Sequence, residues 1–154
     1  MIEFDLRKLT DQLVKLEQAA ALPEIAETVK GEALGHAIIG AQVNIYLTAP
    51  GEYQRTGDYL RGLRTMAKAT RHTASVTVQN DETYAAYVEG GRDGLSLAML
   101  QHLAGMQQDP SRPLTLGRSG QQWTIPAPVL IGAQAFALHR MKELFAQKVQ
   151  AVRP

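Results

Sequence analysis

The chain has 154 residues, 45% of them hydrophobic and 20% charged, with a formal net charge of +1. That length fits one domain, 1–154, and that composition belongs to chains that fold rather than to disordered ones. With no cysteine, disulfide staples, thiolate zinc sites and cysteine nucleophiles are excluded, and so small a net charge gives no global pull toward nucleic acid or an anionic membrane.

The charges are unevenly placed. Residues 1–32 carry seven acids (Glu3, Asp5, Asp11, Glu17, Glu24, Glu27, Glu32) against four bases (Arg7, Lys8, Lys15, Lys30). Residues 55–71 hold Arg55, Arg61, Arg64, Lys68 and Arg71 against Asp58 alone, and the C-terminal stretch is also basic. Patches of opposite sign can set register between copies; equally, they are solvated faces of ordinary helices and loops. Met1 to Thr10 lacks the apolar core and cleavage site of a secretory signal, so a cytoplasmic product is expected.

In chain order, Leu6, Leu9, Leu13, Leu16 and Ala20 recur at helical steps and predict an amphipathic helix over 5–20. Leu22-Pro23 interrupts it, and Pro23 suits the first turn of a second helix, 24–47, because its missing N–H has no partner there. From Ala33 to Pro50 that region has no formal charge besides what His36 carries when protonated, so it must be largely covered. It is too polar to span a membrane. Ala33, Ala37 and Ala41 form a row of small residues that lets another element approach closely.

Turn formers fill 49–58. Leu60, Leu63 and Ala67 fit a helix, whereas Leu63, Thr65 and Ala67 fit a strand; a brief turn and then a strand is the reading taken. Ala74, Val76 and Val78 alternate with polar residues as a half-buried strand, hairpinned to the one before it around Arg71 and His72. Tyr84 to Glu89 predicts a short helix capped by Gly90-Gly91. Leu95, Ala98, Met99, His102, Leu103 and Met106 give another helical stripe, bounded by Asp93-Gly94 and Asp109-Pro110. Leu114 and Leu116, then Trp123 and Ile125, predict a hairpin around Gly117–Gly120. Pro126-Ala127-Pro128 stiffens the entry to a last helix over 131–151, with Ala135, Leu138, Met141, Leu144 or Phe145, and Val149 as its apolar stripe. The sum is an α+β fold: N-terminal helices and a C-terminal helix on a small antiparallel sheet, with 93–125 as an inserted helix and hairpin, or contact arm.

No reaction centre is legible. None of His36, His72, His102 and His139 has a second histidine at helical ligand spacing, so no metal is expected. The glycine-rich stretch Gly117-Arg118-Ser119-Gly120 leads into a predicted strand, not a helix, and supports no nucleotide cofactor. Ser111 and Ser119 lie in no nucleophile-elbow pattern. An enzyme is not expected. The basic run 55–71, interleaved with Tyr53 and Tyr59, keeps a nucleic-acid or other protein-interaction module open as the alternative.

Two stretches in this order do carry a resemblance. Tyr53-Gln54-Arg55-Thr56-Gly57-Asp58-Tyr59-Leu60 is similar to the Arg-Thr-Gly-x-Leu loop of phage head-tail joining proteins, also called tail-completion, neck or minor tail proteins. Tyr84-Ala85-Ala86-Tyr87-Val88-Glu89-Gly90-Gly91 resembles that family's Tyr-Ala-x-Tyr-Val-Glu-x-Gly segment. Pro126-Ala127-Pro128-Val129-Leu130 looks like a weakened form of its Arg-Pro-Phe loop. Here Tyr59 is an extra residue after the Thr-Gly turn, and Arg92 replaces the usual threonine or serine. The resemblance implies a structural virion protein made in the host cytoplasm and placed at the head-tail junction. Its partners would be itself, as a homo-hexamer or another closed ring, and portal, connector or tail-tube proteins, with incidental contact to packaged DNA and none to a membrane. The residues singled out are Arg55, Thr56, Gly57, Tyr84, Tyr87, Glu89, Gly91 and Trp123. Arg55 is expected to reach Glu89 with paired hydrogen bonds, within one subunit or between neighbours, or else the two do not meet. Trp123 either anchors a neighbour or caps the chain's own core.

Overall fold

The computed structural model describes residues 6–49, 55–92 and 94–151. Tyr53 and Gln54 of the first motif, the Pro50-Gly51 turn and the Asp93 boundary lie outside these. Helix α1, Leu6–Ala20, and helix α2, Leu22–Ala41, are joined at Ala21, whose φ of 43° turns the chain between them. Pro23 lies in the first turn of α2, as expected. The alanine row of α2 is core: Ala33, Ala37 and Ala41 are fully buried.

The last helix, α6, spans Val129–Ala151 and packs along α2. Glu24 pairs with Lys148, Glu32 with Arg140, His36 with Phe136, and Gly40 lies against Val129. Contacts that advance along α2 while retreating along α6 make the two helices antiparallel. An added Cβ at Gly40 would make ordinary van der Waals contact with Val129 Cγ1 at 3.7 Å.

Past Ala41 the helix widens into a π turn, Gln42–Tyr46. Asn44 accounts for it. Its side-chain amide donates to the Gly40 carbonyl at 3.0 Å, competing for the acceptor that an α-helical amide would use, and also to Leu114 O at 3.0 Å.

The region read as a brief turn is a short helix, α3, Asp58–Gly62; strand β1 follows over Leu63–Ala69 and strand β2 over Ala74–Asn80. The strands are antiparallel, with Thr65 opposite Val78 and Ala67 opposite Val76, and the Thr70–Thr73 turn joins them. Leu63, Val76 and Val78 point into the core beneath α2. The outer edge of β2 is closed by one side chain of α6: Gln134 accepts from Val78 N at 3.2 Å and donates to Val76 O at 2.9 Å. A single amide thereby supplies what a third strand would.

Helix α4 spans Ala85–Gly90 and helix α5 Leu97–Gly105, the latter begun by Ser96, whose hydroxyl accepts from Met99 N. The α+β class holds, with helices flanking a two-stranded sheet. Three expectations do not. The α5 stripe is rotated: Leu100 and Ala104 are buried against Ile131, while Leu95, Ala98, Met99, His102 and Met106 are exposed. On α6 Ala133 and Ala137 are buried deepest; of the expected stripe, Ala135, Met141, Leu144 and Val149 are partly covered, Leu144 rather than Phe145 being the packed one, and only Leu138, 54% exposed, departs from it. Residues 113–125 form no hairpin. Their backbone is held instead by Asn44 at Leu114, by Arg92 N at Thr124 O, and by a local Ile125-to-Gln122 turn, so no ladder forms between them. Among the described residues, no helix is long and apolar enough to cross a membrane.

Candidate functional site

The two motif stretches meet. Gly57 adopts φ 80° to start α3, a left-handed conformation that favours glycine. Thr56, Asp58 and Arg61 close this turn: Arg61 pairs with Asp58 and donates to Thr56 O at 3.3 Å, and Thr56 Oγ1 donates to the same carboxylate. Both hydrogen bonds hold the Asp58 carboxyl below its usual range, that from Thr56 most.

The turn places Tyr59, the residue read as an insertion, at the centre of the joint. Its ring is buried, and its hydroxyl donates to Glu89 Oε1 at 2.9 Å. The same carboxylate accepts from Leu130 N at 2.7 Å and, through Oε2, from Ile131 N at 3.3 Å. Glu89 thus caps the first turn of α6 from another helix, where a negative charge meets unpaired amides and the positive end of the helix dipole. Burial pushes the Glu89 carboxyl up, opposed by the amide and hydroxyl donors. Burial also drives the Tyr59 phenol far above its ordinary range, and the neighbouring Glu89 adds to it. Asn80 fastens the sheet to the joint, donating to Tyr59 O at 2.7 Å. Tyr84 lies 6.5 Å from Tyr59, ring to ring.

Arg55 does not pair with Glu89; no ion pair joins them among the described residues. Its guanidinium is drawn to the carbonyls ending the π turn: Tyr46 O at 3.1 Å, Thr48 O at 2.5 Å and Ala49 O at 2.6 Å, with Thr48 Oγ1 at 2.7 Å. Helix C-terminal carbonyls lack intrahelical partners and carry partial negative charge, whereas Glu89 is already satisfied. Arg55, Thr56, Gly57, Tyr59, Tyr84, Val88 and Arg118 line a pocket of about 340 Å³. Arg118, which the sequence reading placed in a glycine turn, is buried and donates to Val88 O at 3.1 Å.

Of the other singled-out residues, Tyr87 faces solvent. Gly91, at φ 72°, packs so tightly that a Cβ would fall 2.3 Å from Thr124 O. Trp123, next to Thr124, is half-buried. Tyr59, Asn80, Arg118 and Asn44 were missed; only the bulk of Tyr59 inside a turn-forming stretch signalled anything. The basic run is largely engaged: Arg61 with Asp58, Arg64 with Asp81 at 3.3 Å, and Arg71 with Glu17. No group of three or more His, Asp and Glu side chains suited to a metal occurs among the described residues.

No family model matches the sequence, and neither the curated proteins nor the solved structures give a match.

Proposed function

We propose that the chain is a structural subunit of a long-tailed phage particle, at the head-tail junction, working by association with its own copies and docking to portal or tail components. The observation that carries this reading is the joint itself. The two stretches bearing the family resemblance, thirty residues apart at Tyr59 and Glu89, fold against each other and fasten the start of α6. Their polar groups serve rigidity: the carboxylate takes two amides and a phenol, a pairing suited to holding elements in place. Apolar side chains left in solvent, such as Leu97 and Leu138 at 62% and 54% exposed, supply contact surface of the kind subunits bury. Engagement of the basic run with acids and carbonyls weighs against the nucleic-acid alternative.

Electron microscopy of the purified full chain, alone and mixed with tail or portal assemblies, tests the proposal. Closed rings or attachment at a tail end are expected. Particles that remain single and attach to neither assembly, or salt-sensitive DNA retardation in a gel shift without rings, would overturn it.

A further inference from the structure

His36 lies in the middle of α2 and is 6% exposed. Its ring stacks on Phe136 of α6, with centroids 4.5 Å apart and planes at 14°. Neither ring nitrogen meets a hydrogen-bond partner among the described residues. A buried, unpaired imidazole is costly even when neutral, since both nitrogens have given up water. The segment leading out of α5 covers it, with the backbone of Pro110 and Arg112 acting on the ring.

That cover packs Leu114 and Leu116 on the cluster of Leu100, Ala104 and Ile131. Asn44 holds it at Leu114 O, 3.0 Å, and Pro113 and Leu114 rest on Gly40 and Gly132. The carbonyl of Arg112 already accepts from Gln107 Nε2 at 2.7 Å. The charged groups on the surrounding elements are spoken for: Glu32 of α2 pairs with Arg140 of α6 at 2.8 Å, and Asp109 with Arg112 at 3.3 Å. His139 is exposed on α6. Among the described residues, no charged side chain adds to burial and the two backbone groups in setting the ring's proton affinity.

We infer that His36 is an acid-sensitive latch: taking up a proton, it unseats the 107–116 segment from the α2–α6 pair and admits water to the stack. Protonation places a full charge and a second N–H donor in a buried slot, where the backbone of Arg112 and Pro110 favours the charged ring but burial outweighs it. Parting of the segment is the least costly relief, because water then solvates the imidazolium. Burial holds the closed form's proton affinity below the ordinary 6.5, whereas the opened ring takes up its proton at the ordinary value. Opening therefore becomes easier as pH falls below 6.5 and gains nothing further once the closed form also charges. The inference is independent of the proposed function.

The test is amide hydrogen exchange of the full chain between pH 7.5 and 5, corrected for intrinsic rates, alongside a histidine-selective NMR titration. Opening of 107–116 is expected to rise on acidification, with a midpoint matching the titration of His36. His36→Phe, which keeps the stack, and His36→Gln, which keeps polarity without charge near neutrality, are each expected to abolish the rise. Whichever of these variants folds suffices, and the wild-type titration reads the coincidence without either. Unchanged protection in the wild type, a persisting rise in a folded variant, or His36 charging with no opening would each overturn the latch. So would loss of the response in a folded Glu89→Gln chain, which would assign it to the carboxylate.

Discussion

Tyr59 and Glu89 hold one proton between them at the point where three helices meet, and their worth is measurable by removing either end. Tyr59→Phe keeps the ring and its packing but leaves a buried carboxylate oxygen with one donor fewer; a loss of about 1–3 kcal/mol in urea unfolding is expected. A double cycle with Glu89→Gln should show coupling, since the two side chains touch at 2.9 Å. Titration of the same carboxyl gives an independent check. Burial raises it above its ordinary 4.5, so the folded state binds the proton more tightly than the unfolded one. Glu89's contribution is fully present below 4.5 and is lost as pH rises through the raised folded value. The stability of the wild type relative to Glu89→Gln should therefore increase on acidification from neutrality toward 4.5. An unchanged or reversed difference would show that the amide donors, not burial, govern this group.

Elements were legible where periodicity and punctuation agree. The α1–α2 break at Leu22-Pro23, the β1–β2 hairpin and the start of α4 follow from a proline, an alternating pattern and a tyrosine-led turn. The phase of α5 was not legible, and on α6 only Leu138 departed from the expected stripe. Leu97, Ala98, Met99, Leu100, Leu103 and Ala104 put apolar groups nearly all around α5, so the buried side is chosen by Ile131 and Leu114, which sequence spacing cannot reveal. The hairpin expected over 113–125 failed for a related reason: alternating apolar residues say extended chain, and extended chain needs a neighbouring strand that the fold does not provide. Glycines separate the two kinds of information cleanly. Gly31 and Gly35 lie on α2 with nothing within 4 Å of an added Cβ, so Gly31→Ala and Gly35→Ala should each stabilise by about 0.5–1 kcal/mol in thermal unfolding. Gly91→Ala meets Thr124 O at 2.3 Å in a left-handed conformation, and should destabilise by more than about 2 kcal/mol or prevent folding.

Across the whole molecule the free surface runs up to the joint, since Leu97 lines a pocket that Glu89 also lines, yet its exposed side chains make the assembly reading testable. The candidate site was only half visible in sequence, because its centre, Tyr59 against Glu89 and the α6 amides, is made by tertiary folding. Its rim, Arg55 to Gly57 and Tyr84 to Glu89, could be read as motifs. Of the exposed apolar side chains, Leu138 was read as core, and Leu97 was not singled out. Leu138 on α6 lines a groove with Ala104 and Ile131, and Leu97 on α5 lines a second one with Leu100 and Ile131; both are lined mainly by apolar groups. Neither leucine contributes to the buried clusters, so Leu97→Glu with Leu138→Glu should change monomer stability by no more than about 0.5 kcal/mol for each substitution. If copies of the chain associate through this face, the same pair of charges would have to be buried or would repel across every contact, and rings should disappear from micrographs while the melting temperature stays put. Rings that persist in the charged variant would place the contact on another surface, with the ridge of Ile39, Val43 and Leu47 along α2 and its π turn, also exposed, the next to alter.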